Sequence, residues 1–135
     1  MRLLADREHS RLELTRKLAK RQFESALLEQ VLDQLQQAGL QSDERFTESF
    51  IESRMRKGQG PVRIRQELKQ RGIDAGLIDR GLEVYDDEWR GLLEQVHDAK
   101  FGRQRTRESR ELAKRARFLE YRGFPGEMIR SFLLD

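Results

Sequence analysis

DERFTESFIESRMRKGQGPVRIRQELKQRGI, running from Asp43 to Ile73, places two helical patterns around a rigid corner. In the first, Phe46, Phe50 and Ile51 recur at helical spacing, and Ser42 or Asp43 stands where a cap is needed. Gly58 and Gly60 stop that helix, because glycine tolerates the left-handed backbone with which helices end. Pro61 restarts the chain at a first-turn position, where a missing N–H costs nothing. Ile64 and Leu68 form the apolar stripe of the second helix, and Gly72 ends it.

The same stretch is nearly one-signed. Arg54, Arg56, Lys57, Arg63, Arg65, Lys69 and Arg71 are interrupted by a single acid, Glu67. An ordinary solvated helix mixes its signs for i,i+4 support. A one-signed corner can instead hold a negative partner, either nucleic acid or an acidic protein face.

Outward from the corner, the 135 residues suffice for one ordinary domain. Charged residues make up 38% and the apolar set 36%, a lean supply for a compact globule and a better match to thin helical repeats stacked on their neighbours. Net charge is only +3, from 27 Lys+Arg against 24 Asp+Glu, so clustering carries more information than the total. The absence of cysteine removes disulfides, thiolate metal sites and thiol nucleophiles. No apolar run approaches the ~20 residues that cross a bilayer, and MRLLADREHS lacks a signal-peptide core. A cytoplasmic location without membrane contact is the expectation. Leucine outnumbers valine and isoleucine, 19 against 4 and 5, and no segment alternates with period two. The whole chain therefore reads as α-helical.

The pattern repeats. Residues 2–8 suit a short helix, and Ser10 with Glu13 has capping-box spacing. Leu14 and Leu18 then mark a helix ending near Arg21, Phe23 docks the turn, and Leu27, Leu28, Val31, Leu32 and Leu35 mark the next. Shifted by 50, Leu14, Leu18, Arg21, Phe23, Leu27, Leu28 and Leu32 fall on Ile64, Leu68, Arg71, Ile73, Leu77, Ile78 and Leu82. Shifted by 101, Leu18, Arg21, Phe23, Leu27, Leu28 and Leu32 fall on Leu119, Arg122, Phe124, Met128, Ile129 and Leu133. The reading is a tandem of three-helix repeats: 1–57 with the short N-terminal helix, 61–102, and a last one of two helices at 106–135. Stacked repeats imply an elongated body, with curvature allowed. Phe101-Gly102 to Thr106 is the expected flexible joint, having little to bury.

Catalytic constellations do not emerge. His9 and His97 have no second ligand at i+3 or i+4, so they read as surface or cap residues rather than as a metal site. Asp86, Asp87 and Glu88 sit at a helix start and read as caps. Gly58-Gln59-Gly60 begins like a dinucleotide loop, but no strand precedes it and no third glycine follows. No cofactor is expected. Phe23, Phe46, Phe50, Trp89, Phe118 and Phe124 fit core packing, whereas Tyr121, at a helix end, is placed to stack on a partner. A second basic run, Lys100 to Arg122, holds Arg103, Arg105, Arg107, Arg110, Lys114, Arg115 and Arg117 against Glu108, Glu111 and Glu120. Helices joined by tight turns resemble helix–turn–helix DNA readers, but no recognition helix stands out, so backbone-type contact is the stronger nucleic-acid version.

The residues also carry a resemblance. Asp43-Glu44-Arg45-Phe46, Phe50-Ile51, Arg54, Lys57-Gly58-Gln59-Gly60-Pro61, Arg63-Ile64-Arg65-Gln66-Glu67-Leu68 and Arg71-Gly72-Ile73 resemble the RecX family, bacterial regulators of the RecA recombinase. Arg7-Glu8-His9-Ser10 with Glu13-Leu14 and Lys17-Leu18, and Arg117-Phe118-Leu119-Glu120-Tyr121-Arg122-Gly123-Phe124, agree with it. Members of the family commonly carry a longer segment before the first of these; only a few residues precede it here. The resemblance implies a non-catalytic tandem of three-helix units that binds the RecA–DNA filament along its groove. It implies inhibition of the filament's ATPase, strand-exchange and co-protease activities, in SOS response and recombinational DNA repair. The expected contact residues are Arg54, Arg56, Lys57, Arg63, Arg65, Lys69 and Arg71, then Arg115, Arg117 and Arg122. Gly58, Gly60 and Pro61 are expected to form a structural corner setting the angle between repeats. A monomer is expected, with the RecA filament and single- or double-stranded DNA as partners. The alternative is a non-specific nucleic-acid-binding module with no dedicated protein partner.

Overall fold

The computed structural model describes residues 8–19, 25–39 and 41–135. Among the described residues all regular structure is helical: α1 (Arg11–Ala19), α2 (Ser25–Gln37), α3 (Asp43–Arg56), α4 (Pro61–Gln70), α5 (Ala75–Glu83), α6 (Trp89–Phe101), α7 (Ser109–Tyr121) and α8 (Gly126–Leu134). Residues 2–7 of the expected N-terminal helix, with Arg21 and Phe23, lie outside the described residues.

The sequence repeat is a burial repeat. Leu18, Leu68 and Leu119 are buried, as are Leu28, Ile78 and Ile129, and Ile73 and Phe124. Leu27 departs from its expected place in the stripe and is 46% exposed, since it lies off the face that carries Leu28, Leu32 and Leu35.

Local chemistry fixes the helix ends. The Ser10 capping box is fully made: Glu13 N–H donates to Ser10 Oγ at 3.1 Å, and Ser10 N–H donates to Glu13 Oε1 at 3.2 Å. Ser42 caps α3 by accepting from Arg45 N–H, while Asp43 accepts instead from Arg11 N–H and the Gln41 amide. Glu108 caps α7 through both carboxylate oxygens. The expected caps before α6 do not form: Glu88 is its N-cap without a side-chain cap bond. Backbone bonds close that turn, from Asp86 N–H to Glu83 O and from Glu88 N–H to Tyr85 O. Three helices end alike. After α3, Gln59 N–H donates to Arg54 O and Gly58 N–H to Met55 O; after α4 and α7, Ile73–Leu68 with Gly72–Lys69 and Phe124–Leu119 with Gly123–Glu120 repeat the scheme. It requires a left-handed residue, and Gly58, at φ 79°, supplies one.

The chain divides into two compact units, residues 1–50 with 68–81, and 51–67 with 82–135. In the first, Leu14, Leu18, Leu28, Leu32 and Leu35 pack α1 on α2. Arg11 ties the same helices at the surface, reaching Gln36, Asp33 and Glu29. Ser10 Oγ also donates to Arg71 O at 2.8 Å, which seats the turn after α4 against the start of α1. His9, expected at the surface, is 2% exposed, with its Nε2 at 2.9 Å from Lys17 Nζ.

In the second unit, Leu93, Leu119, Phe124, Ile129 and Phe132 form the core. His97 is fully buried there rather than superficial. Its ring lies edge-on to Phe132, its Nδ1 is 2.8 Å from Asp98 Oδ1, and its Nε2 faces the Arg115 guanidinium at 3.2 Å. The segment 101–106 is not the free joint that its composition suggests. Phe101 meets Phe118 edge-on, the Arg105 guanidinium lies 4.3 Å from the Phe132 centroid, and Gln104 O accepts from Arg115 at 2.8 Å. Arginine stems and planes supply the buried contact that the segment lacks in apolar residues.

Candidate partner-binding surface

The corner from Gly58 to Pro61 is built by backbone rather than side chain. Gly60 N–H donates to Arg122 O at 2.8 Å and Val62 N–H to Gly123 O at 2.9 Å, so the start of α4 is seated on the turn after α7. Pro61 between them has no N–H to satisfy. A Cβ on Gly60 would stand 2.5 Å from Gly123 O, so no other residue fits without moving backbone. Gly58, Gln59, Gly60 and Val62 all spend their N–H groups on carbonyls. Nothing remains there to cradle phosphate, which disposes of the dinucleotide-loop resemblance.

Around this corner the structure sorts the cations that sequence had grouped. Glu67 bridges two of them, accepting from Arg54 Nε at 3.0 Å and from Arg63 Nε at 3.1 Å. Arg63 also lies over the Tyr121 ring at 5.2 Å, so that exposed tyrosine already has a cation on its face. Arg71 stacks on Phe50 at 4.7 Å and stands 3.9 Å from Glu13. Arg65 is half-buried. Arg56, Lys57 and Lys69 are exposed and have no ion pair among the described residues. Arg56 and Lys57 belong to the second unit and Lys69 to the first.

The second set separates as sharply. Arg117 is exposed. Arg115, expected as a contact, is 8% exposed and spent internally on Glu111, His97 and Gln104 O. The reason is its register: a shift of 101 puts it on the stripe position of Leu14. Arg122 is half-buried, donates to Lys57 O at 2.9 Å and lies over Phe118 at 5.3 Å, so it clasps the end of α3. Beside Arg115, the hydrogen bond from His97 holds the Asp98 carboxyl below its ordinary pKa, with help from Arg105 and against the cost of burial. Among the described residues no His/Cys/Asp/Glu group is arranged to hold a metal ion, and no helix is long and apolar enough to cross a membrane.

Sequence reasoning placed Lys100 in the second basic run but not among the expected contacts. It is exposed, and its ammonium lies 5.7 Å from the Phe118 centroid. Its place one turn beyond Val96 on α6 was the available signal.

Comparison with known proteins follows the same helices. Residues 1–35, 42–82 and 86–133 match the family models for the first, second and third three-helix domains of RecX. These matches begin the second and third domains at α3 and α6. The regulatory protein RecX of Pseudomonas entomophila is 50% identical over 129 residues, covering 96% of this chain and 83% of that protein. That of Pseudomonas syringae pv. tomato is 46% identical over 129 residues, covering 96% and 83%. The crystal structure of RecX from Lactobacillus salivarius superposes with a TM-score of 0.83 at 20% identity, covering 98% of this chain and 88% of that one. A second crystal structure of a regulatory protein RecX gives 0.82 at 22% identity, covering 98% and 66%. With all three domains matched in order and half the residues shared with a curated relative, this chain belongs to the RecX family of regulatory proteins.

Proposed function

We propose that this protein is a non-catalytic negative regulator of the RecA recombinase. It binds the RecA–DNA filament in the cytoplasm and lowers the filament's ATPase, strand-exchange and co-protease activities. Membership of the RecX family supports the reading. The observation that carries the contact residues is the exposure of Arg56 and Lys57 in the second unit and of Lys69 in the first, none with an ion pair among the described residues. Neighbouring side chains left charged and unpaired, as Arg56 and Lys57 are, raise the local potential and steer an acidic partner. Within the second unit Arg54, Arg63, Arg115 and Arg122 are spent on internal contacts, and within the first Arg71 is stacked on Phe50.

The test is RecA ATPase on single-stranded DNA, titrated with the wild-type protein and with a variant carrying Arg56→Glu, Lys57→Glu and Lys69→Glu. Inhibition at well under one molecule per RecA subunit, weakened roughly a hundredfold in the variant, is expected if each reversed charge costs about 1 kcal/mol. Equal inhibition by both proteins moves the contact elsewhere. Inhibition by neither refutes the regulatory reading.

A further inference from the structure

The second unit carries an open groove of about 440 Å³, bounded by the end of α3, by α6 and by the end of α7. Its floor is apolar: Met55, Leu92, Val96 and Phe118, all half-exposed. Its rim is basic: Arg56, Lys57, Lys100 and Arg122. No acid lines it. Arg56, Lys57 and Lys100 are exposed without an ion pair among the described residues.

We propose that this groove docks an acidic protein segment bearing one large apolar side chain. The apolar side chain rests on Met55, Val96 and Phe118, and the flanking carboxylates meet Arg56, Lys57 and Lys100. The volume lies in the range of sites that enclose a small ligand or an anchor side chain. Charge complementarity decides the sign of the occupant, and the floor decides its class. A phosphate backbone has no use for an apolar floor. Lys100 and Arg122 already lie over the Phe118 ring, at 5.7 and 5.3 Å, so a nucleobase stacks there only by displacing a cation. An apolar anchor flanked by carboxylates uses both features at once. The groove is closely packed at Gly58, where a Cβ would stand 3.0 Å from Val96 Cγ2 and 3.2 Å from the Arg122 guanidinium. The proposal rests on the regulatory reading only in taking the partner to be a protein.

The experiment uses the full chain and three fluorescent probes: a short Asp/Glu-rich peptide with a central Phe, the same peptide with Ser for Phe, and a single-stranded oligonucleotide. Fluorescence anisotropy compares wild type with Met55→Gln, which alters the floor at constant length, and with Arg56→Glu/Lys100→Glu, which alters the rim. The Phe peptide binds wild type roughly tenfold more tightly than either variant, and roughly tenfold more tightly than the Ser peptide binds wild type. In the wild-type protein, its titration shifts the methyl resonances of Leu92 and Val96, a readout independent of any variant's folding. Equal binding of the Phe peptide to wild type and Met55→Gln, or no binding of it at all, overturns the proposal. So does displacement of the peptide by the oligonucleotide with Met55→Gln neutral. Loss of peptide binding with RecA inhibition intact sinks the groove alone, whereas peptide binding without RecA inhibition sinks the RecA reading alone.

Discussion

Arg115 stands where Leu14 stands in the first repeat and Ile64 in the second, and a guanidinium there needs partners that an aliphatic side chain does not. It finds them in Glu111, in His97 Nε2 and in the carbonyl of Gln104. Arg115→Ala would strand those groups, and an unfolding titration should show a loss of about 3 kcal/mol, the scale for breaking a buried charged network. An equilibrium stability within 0.5 kcal/mol of wild type, on the scale of a plain surface substitution, would show the network to be ornamental. The burial of Arg115 was legible in the repeat register but not in the composition of its own helix, where it reads as one of many basic residues. Its partners were not legible, because His97 and Gln104 come from a different helix and from a loop. The two histidines were misjudged for the same reason: packing brings Lys17 to His9 and Arg115 to His97.

Among the elements, the corner before α4 shows how far local rules reach. Capping chemistry located the starts of α1 and α3, and glycine located the ends of α3 and α4, because each depends on residues within one turn. The Gly60–Gly123 approach depends on a turn far along the chain, so sequence explained Gly60 as a stop and missed it as a contact. Gly60→Ala forces Gly123 and Phe124 aside, and thermal or urea unfolding should show a cost of about 1–3 kcal/mol from overpacking. Helix content by circular dichroism stays near wild type, since alanine itself favours helix. A variant as stable as wild type would mean that the turn after α7 gives way freely. The groove was illegible for a similar reason: Met55, Val96 and Phe118 lie on three separate helices, and only packing brings them to one lining.

At the scale of the molecule, net charge is only +3, so a polyanion would be attracted by locally clustered cations rather than by the total. If four of them meet single-stranded DNA, log K against log salt falls with a slope of roughly −3. Filament-dependent binding predicts weak association with free DNA and a large gain when RecA is added, measured by anisotropy across a salt series. Tight binding to free DNA with no gain from RecA would favour the plain nucleic-acid module. One feature of the corner also bears on how the chain is made. Arg122 reaches Lys57 across 65 residues of sequence, and the backbone bonds of Gly60 and Val62 close loops of similar length. Closing such loops is entropically costly and slow relative to forming a helix. Synthesis proceeds from the N-terminus, so the ribosome releases the corner well before it releases the turn that locks it. The corner before α4 therefore acquires its final form only after the turn following α7 has been made, and a nascent chain that stops short of that turn carries the same basic residues without their fixed arrangement.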